Sequence, residues 1–190
     1  MTLTNEQKRI LISIFPFLQL RNVWTGKLLE NTNCIIGECL PEGWFRLFLM
    51  YCKDLLPYLE ATNTVDKFMF TDVKEKYGRI CLYNMGEPEG AELLTSLYEH
   101  FSQFVCLRCG KLANYTTKGW IMPICKDCAN TVSMLSHDIE PVTKQHVFKT
   151  IMYANKQRQT ICISMRHIKQ RYLRILDMSD AEFFEYIITR

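Results

Sequence analysis

The chain of 190 residues has no apolar run long enough to cross a bilayer. Its longest uncharged stretch near the start, Ile10 to Leu20, is broken by Pro16 and falls well short of the roughly 20 residues a spanning helix needs. A secretory signal is missing its parts: Glu6 lies upstream and no small-residue cleavage site precedes Arg21. Eight glycines and six prolines exclude collagenous or low-complexity architecture. The recurrent catalytic signatures are absent too. No G-x-G-x-x-G, P-loop, G-x-S-x-G or H-E-x-x-H occurs, so dinucleotide, nucleotide, α/β-hydrolase and zincin chemistries lose their usual carriers. A zinc deaminase needs His-x-Glu ahead of Pro-Cys-x-x-Cys. No His-x-Glu exists, and Pro123-Ile124-Cys125 misses the second spacing by one residue. The expectation is a non-enzymatic protein.

What the chain has in plenty is cysteine, nine in all. In a chain without a secretory signal the expected setting is a reducing cytoplasm, where clustered cysteines hold metal more often than they form disulfides. Cys106-Leu107-Arg108-Cys109 and Cys125-Lys126-Asp127-Cys128 make a C-x2-C-x15-C-x2-C pattern. A C-x2-C knuckle lets two thiolates meet one ion, and two knuckles complete a tetrahedron. Cys106, Cys109, Cys125 and Cys128 are the predicted ligands of one structural Zn2+. Gly110 suits the knuckle turn, Thr116-Thr117-Lys118-Gly119 the tip of an intervening hairpin, and the chain after Cys128 (Ala129, Val132, Leu135) a helix. That order resembles a treble-clef site. Arg108, Lys111 and Lys126 are placed to offset the charge of a tetrathiolate centre. Cys52, Cys81 and Cys162 fall in apolar periodic segments and read as core; Cys34 and Cys39 stay open between packing and a metal or redox role. His100, His137, His146 and His167 have no spaced partners.

Periodicity predicts an α+β fold: helices with a β-hairpin, a four-cysteine middle and a basic helical end. Thr4 with Gln7 reads as a capping box opening a helix through Ile10, Leu11, Ile14 and Phe15. Pro41 opens a second, striped by Trp44, Leu47, Phe48, Tyr51, Leu55, Tyr58 and Leu59, which Pro57 is expected to kink or end. Lys67–Val73 and Arg79–Tyr83 alternate as strands joined by the loop Lys74–Gly78. Pro88 opens a helix carrying Leu94, Leu97, Tyr98, Phe101 and Phe104. Three helices are expected after the cysteines: one capped by Thr143 with Val147, Phe148, Ile151 and Met152 buried, one marked by Ile161, Met165, Ile168, Tyr172 and Ile175, and one with the box Ser179–Glu182. The expected regions are a helix-and-hairpin part (1–104), a zinc module (105–140) and a basic helical part (141–190).

The net charge of +3 is unevenly spread. Residues 1–105 carry ten basic and thirteen acidic residues, and residues 106–190 thirteen and seven. Within 141–176 stand Lys144, Lys149, Lys156, Arg158, Arg166, Lys169, Arg171 and Arg174 with no acid. These eight are the predicted nucleic-acid or partner-binding residues. Arg166, Gln170 and Arg174 fall on one side of a helix, opposite Ile168, Tyr172 and Ile175.

Gly43-Trp44-Phe45 opening a helix, Val73-Lys74-Glu75-Lys76-Tyr77-Gly78 in a hairpin and the two C-x2-C pairs together resemble a family of small uncharacterised zinc-binding proteins of bacteriophages, prophages and bacterial genomes. The likeness covers about residues 41–129. It departs after Gly78, where Arg79-Ile80 replaces a Gly-Leu-Arg-like run. The resemblance implies a mobile-element setting in a bacterial host cytoplasm and no particular activity. The resulting expectation is a phage-type accessory protein that binds a host nucleoprotein or RNA, one form being an anti-CRISPR-like inhibitor of an RNA-guided nuclease with its guide RNA. A zinc-containing DNA-binding regulator, in which three short helices form a helix-turn-helix-like bundle, is the alternative. A virion or assembly interaction protein is a further one, and no membrane partner is expected.

Overall fold

A computed structural model describes residues 3–22, 24–28, 40–131, 138–142, 150–154 and 160–189. The mixed helix-and-strand architecture is the α+β one that periodicity predicts. Helix α1 (Asn5–Ile14) opens at Thr4, whose side chain accepts from the Gln7 amide while the Gln7 side chain accepts from the Thr4 amide. Helix α2 (Phe45–Ala61) is the centre of the fold. Its stripe is wider than expected, since Leu49, Met50 and Cys52 are buried along with Leu47, Phe48, Tyr51 and Leu55. A helix apolar almost all round needs neighbours on every side.

Pro57 does not end α2, which runs on to Ala61. An interior proline costs about 3 kcal/mol. Here its ring is exposed while Leu55, Leu56, Tyr58 and Leu59 around it are buried, and that burial outweighs the lost hydrogen bond.

Strands β1 (Met69–Lys76) and β2 (Arg79–Met85) form the expected hairpin. Pairing continues to Lys76–Arg79, so the turn is the two residues Tyr77-Gly78 rather than a five-residue loop. Both have positive φ, +52° and +76°, as a primed turn requires to match strand twist. The face with Phe70, Val73, Ile80 and Leu82 packs inward. Helix α3 (Ala91–Ser102) starts three residues later than Pro88 suggested, with Gly90 before it in the left-handed region. Its side chains seal the edge of β2: Ser102 Oγ accepts from the Ile80 amide at 2.9 Å and Glu99 Oε1 from the Leu82 amide at 2.7 Å.

The cysteine region contributes β3 (Tyr115–Thr117), β4 (Pro123–Ile124), the short helix α4 (Lys126–Thr131) and β5 (Ile139–Pro141), in sheet order β4-β3-β5. Strands β6 (Thr150–Ala154) and β7 (Thr160–Ser164) then pair antiparallel before helices α5 (Met165–Leu176) and α6 (Asp180–Ile188). This corrects the three-helix end. Ile151 and Met152 lie on β6, and Ile161 with Cys162 on β7. The segments Thr150–Ala154 and Thr160–Ser164 are rich in β-branched Thr and Ile, which favour a pleated strand over a helix. The 3.6-residue spacing that linked Ile161 to Met165 spans the boundary where β7 becomes α5. Thr143, Val147 and Phe148 lie outside the described residues, as do Val132 and Leu135 beyond α4.

The larger apolar core runs from Leu11 of α1 through α2, the hairpin and α3 to Ile168, Tyr172, Phe183 and Ile187 of α5 and α6. The acidic and basic halves are tied together by charge. Arg171 of α5 donates to Asp54 of α2 at 2.7 Å and to the Tyr186 hydroxyl of α6 at 3.2 Å. Tyr98 of α3 donates to the same Asp54 oxygen at 2.5 Å. Arg46 of α2 pairs with Asp180 at 2.9 Å, donates to the carbonyls of Ile175 and Met178, and lies 4.9 Å from the centre of the Phe183 ring.

Candidate metal centre

The two knuckles come together as the spacing predicts. The sulfurs of Cys106, Cys109, Cys125 and Cys128 all lie within 4.8 Å of one another, a group able to hold one metal ion. No disulfide joins them. Local backbone explains the convergence. After the first knuckle, Gly110 takes φ +79° and its amide donates to the Cys106 carbonyl at 2.9 Å, while the Cys106 amide donates to Lys111 at 2.7 Å. The β3–β4 hairpin returns the chain so that the Leu107 amide reaches the Pro123 carbonyl at 3.0 Å. Cys125 then sits just ahead of α4, and the Cys128 amide faces the Cys125 sulfur at 3.4 Å. Knuckle, hairpin, knuckle and helix follow in that order along the chain.

The first knuckle is clamped to the core by residues far away in sequence. The Gly43 amide donates to Leu107 O at 3.1 Å. A Cβ on Gly43 would collide with the carbonyl of Cys106 and lie 2.6 Å from Leu107 O, so no side chain fits. Next to it, the buried Trp44 indole donates to Val105 O at 2.9 Å. From α5, the buried Tyr172 hydroxyl donates to Gly110 O at 2.7 Å. Three backbone carbonyls of the knuckle region, at 105, 107 and 110, therefore find partners on α5 or at the entrance to α2.

Electrostatics suits a cation. Burial works to raise the Cys106 thiol, but backbone donors at Cys109, Cys125 and Arg108 outweigh it and hold the thiol below its usual range. Burial, with the neighbouring sulfurs, pushes Cys109 far up, and burial pushes Cys128 up to about 11. Charge at Cys106 adds to both shifts. Four clustered sulfurs cannot all ionise unaided; a metal ion supplies the charge that lets them. Outside the ring, Lys111 bridges to Asp127 at 2.9 Å, linking one knuckle to the other across exposed surface. Arg108 and Lys126 are exposed near the centre.

The basic residues fare unequally. On α5, Arg166, Lys169, Gln170 and Arg174 are exposed opposite the buried Met165, Ile168, Tyr172 and Ile175. Arg171 instead turns inward to Asp54 and Tyr186. Lys144, Lys149, Lys156 and Arg158 lie outside the described residues, as do Cys34, Cys39, His137 and His146. Cys52 is buried in the core, as its spacing suggests, while Cys81 is buried on the other face of the hairpin, outside the core cluster. His100 sits edge-on to Phe104, ring centres 5.7 Å apart. Among the described residues the four cysteines are the only cluster of three or more potential ligands. The four-cysteine cluster is legible in the sequence and its clamp is not: Gly43 and Trp44 stand out there as a motif without a partner, and Tyr172 as one more apolar position.

No helix among the described residues is long and apolar enough to cross a membrane. No protein-family model, curated protein or solved structure matches the chain.

Proposed function

We propose that the four-cysteine centre holds one structural Zn2+, and that the protein is a non-enzymatic binding module whose basic C-terminal face engages RNA or a host nucleoprotein. Four thiolates suit zinc and complete its tetrahedral shell, which leaves no open position for substrate or activated water. When bound, the ion supplies the positive charge that joins the two knuckles. Cys106 and Cys109 hold it from the first knuckle, Cys125 and Cys128 from the second. The resemblance to small phage and prophage zinc proteins makes an accessory role in a bacterial host the natural setting, an anti-CRISPR-like inhibitor being one form.

The observation that carries the binding reading is α5. Its sequence has no acidic residue, and its exposed side presents Arg166, Lys169, Gln170 and Arg174. Cations on a rigid helix meet phosphates and release their counterions. Arg171 is excluded from this face because Asp54 holds it. The test is affinity capture from host cells, with and without RNase, using the native chain and the triple variant Arg166→Glu, Lys169→Glu, Arg174→Glu. The native chain should recover RNA or a nucleoprotein, and the folded variant should not. Recovery unaffected by the variant would sink the reading.

A further inference from the structure

A second surface carries chemistry that the α5 face does not use. Strand alternation places Asp72, Lys74 and Lys76 of β1 and Arg79, Cys81 and Tyr83 of β2 on the face of the hairpin opposite the core. Lys74 pairs with Asp72 and lies 5.0 Å from the centre of the Tyr83 ring. The one acid of this face is thus already matched. Lys76 and Arg79 are exposed beside it. Glu75 points the other way and accepts from the Gly78 amide at 2.8 Å.

At the tip, Tyr77 is 77% exposed at φ +52°. A primed turn favours Asn at such a position, because a β-carbon crowds the left-handed region. A tyrosine there accepts a local cost while burying little of its ring. The β3–β4 turn adjoins this tip: a Cβ built on Gly78 would lie 3.0 Å from Ile121 Cγ2 and 3.4 Å from Pro123 Cδ. That turn exposes Lys118 and Trp120, the latter 74% exposed. A shallow cleft of about 210 Å3 runs between the tips, with Glu140 on its wall. Tyr83 lies four residues along β2 from Arg79 at the tip, about 13 Å at strand spacing.

We propose that this aromatic and basic face binds single-stranded nucleic acid, with unpaired bases stacking on Tyr77, Tyr83 and Trp120 and phosphates meeting Lys76 and Arg79. Rings standing beside cations suit a ligand that alternates flat bases with negative charge. Every base has a π face, so such a platform tolerates sequence but requires an unpaired strand. Asp138 and Glu140 near the β3–β4 turn disfavour phosphate on that side, which assigns Trp120 to a base. The proposal is independent of the α5 reading, because its rings and cations belong to other elements.

The test uses the full metal-loaded chain and fluorescence anisotropy with labelled oligouridylate, oligothymidylate and a duplex of equal length. Both single strands, or RNA alone, should bind more tightly than the duplex, with affinity falling as salt rises. The double variant Tyr77→Asn, Trp120→Ser should lose at least tenfold in single-strand affinity while its melting temperature holds or rises. The same loss should appear in the α5 triple-glutamate background, which separates this face from that one. Undiminished binding by the double variant, equal affinity for the duplex, or no single-strand binding would each overturn the proposal. Binding of a protein partner in place of the oligonucleotides would count against it as well.

Discussion

At the residue scale, the four cysteines were legible because their chemistry is local: two thiolates per knuckle need only a C-x2-C spacing, and that spacing is in the sequence. Their clamp was not legible. Trp44 and Val105 are 61 residues apart, and nothing in the local pattern of either says that an indole N–H will meet that carbonyl. Gly43 is a sharper case, since its need for zero side chain arises wholly from the approach of Cys106 and Leu107. Gly43→Ala should therefore destabilise the protein by about 3 kcal/mol, because backbone on both sides must move. Trp44→Phe keeps most of the packing but strands the Val105 carbonyl, at about 1–3 kcal/mol. Denaturant titration of the metal-loaded chain checks both. The thiols make a further prediction. Burial raises Cys109 and Cys128, so these groups hold their protons near neutrality and must release them to ligate. Lower pH strengthens that competition, so metal affinity should fall from about pH 8 to about pH 6. A chelator competition series reads it directly, and a pH-independent affinity would contradict thiolate ligation.

At the element scale, helix and strand were read correctly where amphipathic period and caps agreed, as at Thr4–Gln7 and Ser179–Glu182. Reading failed where an apolar spacing crossed an element boundary. Ile161 and Met165 are four residues apart and look helical, yet the first lies on β7 and the second opens α5. Pro57 is the opposite case: a local breaker overridden by the burial around α2. The β1–β2 turn is tighter than expected because Lys74 and Glu75 look like loop residues by polarity alone, although they pair with Cys81 and Ile80. Tyr77→Asn should raise stability by about 0.5–1 kcal/mol, relieving a left-handed tyrosine. Thermal melts compare it with Tyr77→Phe, which should change little. Between elements, Arg171→Met should cost about 2 kcal/mol, since it leaves the mostly buried Asp54 carboxylate with one fewer charged partner. The double variant with Asp54→Asn should lose less than the sum of the singles, because the pair interacts directly.

At the scale of the whole molecule, composition points to a charge split that two ion pairs cross. Arg46–Asp180 and Arg171–Asp54 each join an element of the acidic half to one of the basic half. What remains as outward basic surface on α5 is narrower than the sequence suggested. The cysteine region has a small apolar cluster of its own, Cys106, Ile124, Cys125 and Ala129. So small a core needs a staple, and a metal bound by four thiolates is one. Because Gly43, Trp44 and Tyr172 grip the first knuckle, that staple also braces the entrance to α2 and the middle of α5. This coupling is read by amide hydrogen exchange on the chain before and after metal is stripped with a chelator. Stripping should remove protection in the knuckles and speed exchange at residues 43–46 and in α5. Protection in α2 and α5 that is unchanged while the knuckles open would contradict the coupling.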